Sequence, residues 1–334
     1  MGYELPGCKL DSSRVSETES FSASNSWRIT LNRNKNHTLV RATAAITYTT
    51  ASGASAEEDG LAKLLKGIAV QINRGVKLME VTDGQQLVLY DLHLNRNRGR
   101  NDQPSTSVGS HTGYVDFFFN IPLDMVHPDN PTVVIPGQND DLVDVDLVGT
   151  WGSSSDLGTG FTVTSAALNV VEDKGWVCPT DKVSEYFPVA ARVMPNWYYG
   201  TYTFTGAVGN FGLSIDLNSR VAIRNIFLIV KNASGDRNDS IVTEFALKRY
   251  DNVDILGPFD WTAFQYRKAD ELDMSSLTGC TLLDMRNDVK TTAFTTKQGL
   301  VLPRDGDVQL VFSTSAAGSI TYLFDAVMTR ATTI

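Results

Sequence analysis

Apolar and polar residues alternate along most of this chain, and that alternation limits what it can fold into more than any other feature. Trp27, Ile29 and Leu31 alternate with Arg28, Thr30 and Asn32. Val40, Ala42, Ala44, Ile46 and Tyr48 alternate with Arg41, Thr43, Ala45, Thr47 and Thr49. A period of two, rich in threonine, predicts half-buried antiparallel strands. The period returns at Ile68, Val70 and Ile72, at Val115, Phe117, Phe119 and Ile121, at Val143, Val145 and Leu147, and over 161–171. Helical spacing is scarce. Ser55 and Glu58 are spaced as a capping box ahead of Leu61, Leu64, Leu65 and Ile68. Asp83 is placed to cap a second helix whose Leu87, Tyr90 and Leu94 share a face. A polar loop is expected over 95–112. Alternating βα units are missing, which argues against a parallel α/β fold.

The second half repeats the plan of the first. Residues 172–200 interrupt the alternation with Pro179, Pro188 and Pro195 and with Trp176, Tyr186, Phe187, Trp197, Tyr198 and Tyr199. Proline at that density excludes central strands and regular helix. The domain junction is therefore expected there, with the aromatics packed against both sides. Beyond it, Tyr202, Phe204 and Val208 alternate with threonines, and Ile226, Leu228 and Val230 echo Ile68, Val70 and Ile72. Asp260 can cap a helix through about Lys268, as Asp83 does. Residues 300–303 stand where 120–123 do, 308–311 match 145–148, and 320–329 parallel 161–171. Two copies of one β-rich module, each with roughly eight strands, fit two-sheet jelly rolls. The expected organisation is all-β. It has an N-terminal arm at 1–25, a first eight-stranded antiparallel jelly roll at 26–172, a linker at 173–200 and a second jelly roll at 201–334. The arm is polar and aperiodic, so it is expected to order only on binding something.

Several of these segments together carry a resemblance. Residues 26–33, the Arg- and Thr-rich strand 39–48, the small-residue turn 51–54, the segment 64–73 and the basic-apolar strand leading into a helix at 76–89 resemble the N-terminal jelly roll of corticovirus-type major capsid proteins. That lineage also takes in tectiviruses and adenovirus hexons. The resemblance implies a double jelly-roll major capsid protein of a tailless, membrane-containing bacteriophage. It implies a homotrimer, so that six barrels make a pseudo-hexameric capsomer that tiles an icosahedral shell. The partners implied are the chain itself, neighbouring capsomers, minor capsid or penton proteins and an internal viral membrane. The location implied is the virion. The connections 95–112 and 231–243 are longer than in the shortest members of that lineage.

Charge and cysteine content narrow the alternatives. The net charge of −9 argues against unaided nucleic-acid packaging and against sequence-specific nucleic-acid binding, because phosphate neutralisation drives both. The longest apolar run, the five residues 226–230, falls short of the ~20 that span a bilayer. It is apolar on both faces, which predicts a strand buried on both sides, as at a barrel–barrel contact. Cys8, Cys178 and Cys280 are odd in number and far apart, so no disulfide framework is expected, and synthesis in a reducing host cytoplasm fits them. The N-terminus lacks a signal-peptide pattern, and Pro6 stands where myristoylation wants Ser or Thr. Sequons at Asn36, Asn232 and Asn238 are taken as chance matches.

Catalytic motifs are not found: there is no phosphate loop, paired-histidine zinc motif or nucleophile elbow. The expectation is a protein that is not an enzyme and has no catalytic, cofactor-binding or metal residues and no cofactor. His37, His93, His111 and His127 lie in or beside polar stretches without suitable partners. Asp144 and Asp146 alternate with Val143, Val145 and Leu147 as on a solvated strand face; the competing reading is a cation site using Asp140, Asp141 and Asp144. Arg96, Arg98 and Arg100 either contact phosphate, lipid headgroups or an acidic neighbour, or belong to a solvated loop. The alternative function is a carbohydrate- or receptor-binding, spike-like jelly roll that uses the aromatics of 172–200. A jelly-roll glycosidase would need two carboxylates ~5–10 Å apart in a cleft.

Overall fold

The structure is a computed structural model of the chain. It describes residues 7–73, 75–95, 99–120, 135–136, 138, 144–182, 193–215, 221–249, 254–273, 275–285, 295–296, 299–301 and 308–329. Contacts divide these into two units, one drawn from 1–92 and 97–195, the other from 93–96 and 196–329.

The first unit contains, in order, β1 (Lys9–Ser20), β2 (Ser26–Thr30), β3 (Asn36–Ala56), α1 (Gly60–Lys63), β4 (Leu65–Ile72), β5 (Val76–Glu80), α2 (Gly84–Asn95), β6 (Gly109–Asn120), β7 (Ile135–Pro136), β8 (Val145–Trp151), β9 (Gly158–Val177) and β10 (Val193–Pro195). One of its sheets has the order β1-β9-β3-β6, with β7 also on β3; the other has the order β2-β8-β4-β5. The second unit contains β11 (Tyr198–Phe204), β12 (Val208–Ile215), β13 (Val221–Asn232), β14 (Val242–Arg249), β15 (Asp254–Asp260), α3 (Trp261–Glu271), β16 (Cys280–Asp284), β17 (Thr295–Thr296), β18 (Gly299–Val301), β19 (Val308–Thr314) and β20 (Gly318–Thr329). Its sheets run β11-β20-β13-β16, with β18 also on β13, and β12-β19-β14-β15. The two units correspond strand for strand, β1 to β11, β2 to β12, and onward to β9 and β20. The expected repeat of one jelly roll is thus present as one topology used twice.

The alternation produced these strands. Along β3, Val40, Ala42, Ala44 and Ile46 are buried while Arg41, Thr43, Ala45 and Thr47 are half-buried, and the strand pairs with β9 on one side and β6 on the other. The caps also form. Asp83 Oδ1 accepts the Gln86 N–H at 3.2 Å, and Asp260 Oδ1 accepts the Ala263 N–H at 2.8 Å. In the second core Phe245 meets Trp261 and Phe264 edge-on, with ring centroids 5.7 and 5.0 Å apart. Residues 226–230 are buried throughout, as an apolar run without alternation predicts.

Four expectations need correction. Residues 9–20 of the supposed arm are strand β1, paired with β9. Among the described residues it pairs with β9 alone and buries Val15, so polar residues suffice along it. The helix expected after Ser55 is four residues long, because Ser55 lies in β3 and Leu65 and Ile68 lie in β4. Asp59 precedes it at φ 54° and makes no side-chain cap. Its carboxylate instead accepts the side-chain amides of Gln85, Asn101 and Gln103 at 3.1, 3.0 and 2.9 Å. The interval 173–200 is not wholly linker: β9 continues through Val177 and β11 begins at Tyr198. The run 226–230 lies in β13, whose counterpart is β3 rather than the β4 that carries Ile68, Val70 and Ile72. An apolar run reports two-sided burial, not position in a topology. A smaller difference is that β6 begins at Gly109, inside the polar loop expected over 95–112.

Candidate functional site

A largely buried set of polar side chains in the first unit fastens β1 to its neighbours. Its elements are β1, the turn between β2 and β3, and the last turns of pleat in β9. Lys9 pairs with Val177, and one residue beyond that pair Cys8 and Cys178 form a disulfide. This corrects the expectation of unpaired cysteines. A separation of 170 residues in sequence is no distance at all once β1 lies along β9. Cys280 is buried outside any disulfide, and its Sγ accepts from Arg237 Nη1 at 3.8 Å.

Beneath β1 lies a closed set of charges. Lys35 Nζ is 2.8 Å from Asp11 and 3.2 Å from Glu172, and it donates to Ser13 Oγ at 2.5 Å. Ser13 Oγ in turn donates to Glu172 Oε2 at 3.0 Å, while the Asn32 N–H donates to Glu172 Oε1 at 2.5 Å. His37 Nε2 lies 3.1 Å from the Asn32 carbonyl and 3.7 Å from Glu172 Oε1. Lys35, His37 and Glu172 are all within 2% of complete burial. The absence of a side chain at Gly175 makes room for Lys35, since a Cβ there would lie 2.7 Å from Lys35 Cδ. Burial lowers the His37 pKa from 6.5, against the opposing pull of Glu172, so the imidazole is neutral. The hydrogen bond from Lys35 holds Asp11 below its ordinary value. Burial works against the Lys35 charge, yet its bonds to Asp11 and Glu172 outweigh that and raise its pKa above 10.5. Chemically this is a latch of compensated charges, buried at Lys35, His37 and Glu172 and open to solvent at Asp11.

The other singled-out residues are dispersed. Asp144 and Asp146 do not face solvent as expected. They are buried and bind Arg28, whose pKa rises chiefly through its bond to Asp146, and Thr30 Oγ1 donates to Asp146 at 2.8 Å. The face of β8 that carries them is covered by the Arg28 side chain from β2. Of the three carboxylates in the cation reading that ion pair engages Asp144; Asp140 and Asp141 lie outside the described residues. Of the arginine loop, Arg100 is described. It pairs with Asp102 at 2.7 Å and stacks on the Tyr114 ring at 4.1 Å, while Arg96 and Arg98 lie outside. His93 is buried with its ring 5.0 Å from Phe227, His111 is half-buried with Nε2 2.7 Å from the Ser107 carbonyl, and His127 lies outside. Trp176 and Trp197 are buried, the latter donating to Asp325 at 2.9 Å, so neither ring offers a face to a sugar. Tyr186 and Phe187 are outside the described residues. Among the described residues no group of three or more His, Cys, Asp or Glu side chains is arranged to hold a metal ion. Sequence reasoning missed the Cys8–Cys178 pair and the Lys35–Glu172 pair. The one available signal was polar residues on both sides of β1, which marks an edge strand.

No family model matches this sequence, and no curated protein does. Solved structures match over nearly its whole length. The crystal structure of the STIV MCP is 14% identical, covers 96% of this chain and 97% of that one, and gives a TM-score of 0.74. The atomic structure of Sulfolobus Turreted Icosahedral Virus gives 14%, 96%, 91% and 0.75. The major capsid protein P2 of bacteriophage PM2 gives 11%, 97%, 99% and 0.59. At such identities the likeness is one of fold, and the fold is the double jelly roll.

Proposed function

We propose that this chain is the major capsid protein of an icosahedral virus, a structural and self-assembling protein of the virion. The observation that carries the reading is one jelly-roll topology used twice with little left over. The same two-module plan spans nearly all of the PM2 capsid protein as well. Two similar barrels per chain supply the parts of a pseudo-hexagonal building block when three chains close on one another, so the assembling unit is a homotrimer. Neighbouring capsomers, minor capsid or penton proteins and an internal membrane are the further partners of such a shell. The net charge of −9 leaves the genome to be held by something other than this chain. The spike-like, carbohydrate-binding reading needs exposed aromatics, and of the described aromatics of 172–200 Trp176 and Trp197 are buried and Tyr198 and Tyr199 half-buried.

The test is the mass of the purified protein in solution. Each chain weighs 36.6 kDa, and the reading expects three times that value. A stable monomer at every accessible concentration would overturn it.

A further inference from the structure

A strand at the edge of a sheet presents unpaired backbone N–H and C=O groups, and stable proteins blunt such edges with charges, proline or a covering segment. Here the edges can be compared directly, because the two units repeat strand for strand. β1 carries Lys9, Asp11, Arg14, Glu17 and Glu19, and β2 carries Arg28. β5 carries Lys77 and Glu80. Residues 100–102 cover β6: the Asp102 N–H donates to the Tyr114 carbonyl at 3.1 Å, and the Asp116 N–H donates to the Arg100 carbonyl at 2.8 Å. β15 has Asp254, Pro258 and Asp260. β16 ends in Asp284, and its Cys280 carbonyl accepts Gln265 Nε2 at 2.9 Å.

Among the described residues β11 and β12, the counterparts of β1 and β2, have none of these devices. Residues 193–215 form the longest stretch of the chain without Asp, Glu, Lys or Arg. The strands behind them are bare of charge as well over 308–324. Among the described residues β11 pairs with β20 alone and β12 with β19 alone.

The apolar seam differs in the same sense. Where β1 meets β2, Val15, Trp27 and Ile29 are buried. Where β11 meets β12, Tyr202, Val208, Phe211 and Leu213 are only half-buried, and the Tyr202 and Phe211 rings stack at 4.1 Å. One topology thus has a sealed, charged edge in the first unit and an open, uncharged, aromatic edge in the second.

We infer that β11 and β12 form the contact surface for a second copy of this chain. Charge selects that occupant. Two copies at −9 each repel, and this corner is the part of the described edges where approach brings no charge against charge. A basic protein, a nucleic acid or a lipid headgroup finds nothing there to pair with. The inference rests on the self-assembly reading above and adds where on the chain the contact lies.

The experiment places one lysine on each strand, at exposed positions that leave the core alone: Thr203→Lys with Ser214→Lys. Thr49→Lys, at an exposed position of β3, serves as control. Light scattering is run across a concentration series. The parent and Thr49→Lys should associate, and the double variant should stay at 36.6 kDa where they do, with association weakened at least tenfold. A double variant that associates like the parent overturns this inference and leaves self-assembly standing. A parent that never leaves 36.6 kDa overturns both. Hydrogen exchange on the unmodified chain guards against a misfolded variant: amides of 198–215 should exchange more slowly in concentrated, associated protein than in dilute protein, and unchanged exchange there also overturns it.

Discussion

Lys35 shows how much one residue can hold. It is an amine with 2% of its surface exposed, and its partners come from β1 and β9. Removing one member of a buried ion pair typically costs about 3–5 kcal/mol, because the remaining charge has no compensation. Lys35→Met is therefore expected to destabilise the protein by that order, through a Glu172 carboxylate left buried among backbone and serine. Equilibrium denaturation in urea measures it; a loss below about 1 kcal/mol would show that water reaches Glu172 in the variant. His37 makes the same region sensitive to pH. Its folded pKa lies below 6.5, so the unfolded chain takes up the proton first as pH falls. Stability contributed by the neutral imidazole is complete above pH 6.5 and declines as pH drops through 6.5 toward the folded value. His37→Gln should flatten that decline in a series of denaturation midpoints from pH 8 to pH 5. An unchanged slope would assign the pH dependence to other groups. Asp11, also lowered, loses its contribution only below about 3.8, well separated from the histidine window.

At the scale of elements, the strands were legible and their edges were not. Val40 to Tyr48 and Val115 to Phe119 announce themselves because each has one face in the core, and the cap residues Asp83 and Asp260 announce their helices through a local bond. β1 does not, since an edge strand held by polar contacts has the composition of a loop. The Leu61 to Ile68 spacing misled because a strand buried on both sides satisfies helical periodicity by accident. The disulfide was invisible because only the pairing of Lys9 with Val177 brings Cys8 to Cys178. Closing so long a loop restricts the unfolded chain by about 5 kcal/mol in the chain-entropy account, and losing a native disulfide typically costs about 2–5 kcal/mol. Reduction should accordingly lower the melting temperature of the protein. It should also open residues 9–20 to proteolysis, as N-terminal sequencing of the fragments would show. An N-terminus equally resistant before and after reduction would mean that Lys35 and its partners hold β1 unaided.

At the scale of the molecule, the duplication was legible from the order of patterns, and the function through the resemblance carried by residues 26–33, 39–48, 51–54, 64–73 and 76–89 rather than through any catalytic motif. Fold and function part here: two jelly rolls with a largely buried ionic latch do not by themselves assign a role, and assembly is a property of surfaces. Among the described edges, the seam at β11 and β12 departs from its counterpart in the same chain by having no charged residue. The central claim is that copies of this chain build a shell, and cryo-electron microscopy of purified particles tests it most directly. A closed icosahedral shell is expected, its repeating unit three copies of this chain with six barrels around a pseudo-sixfold axis. Particles in which this chain is confined to a few vertex positions, or the absence of any shell that contains it, would contradict the account.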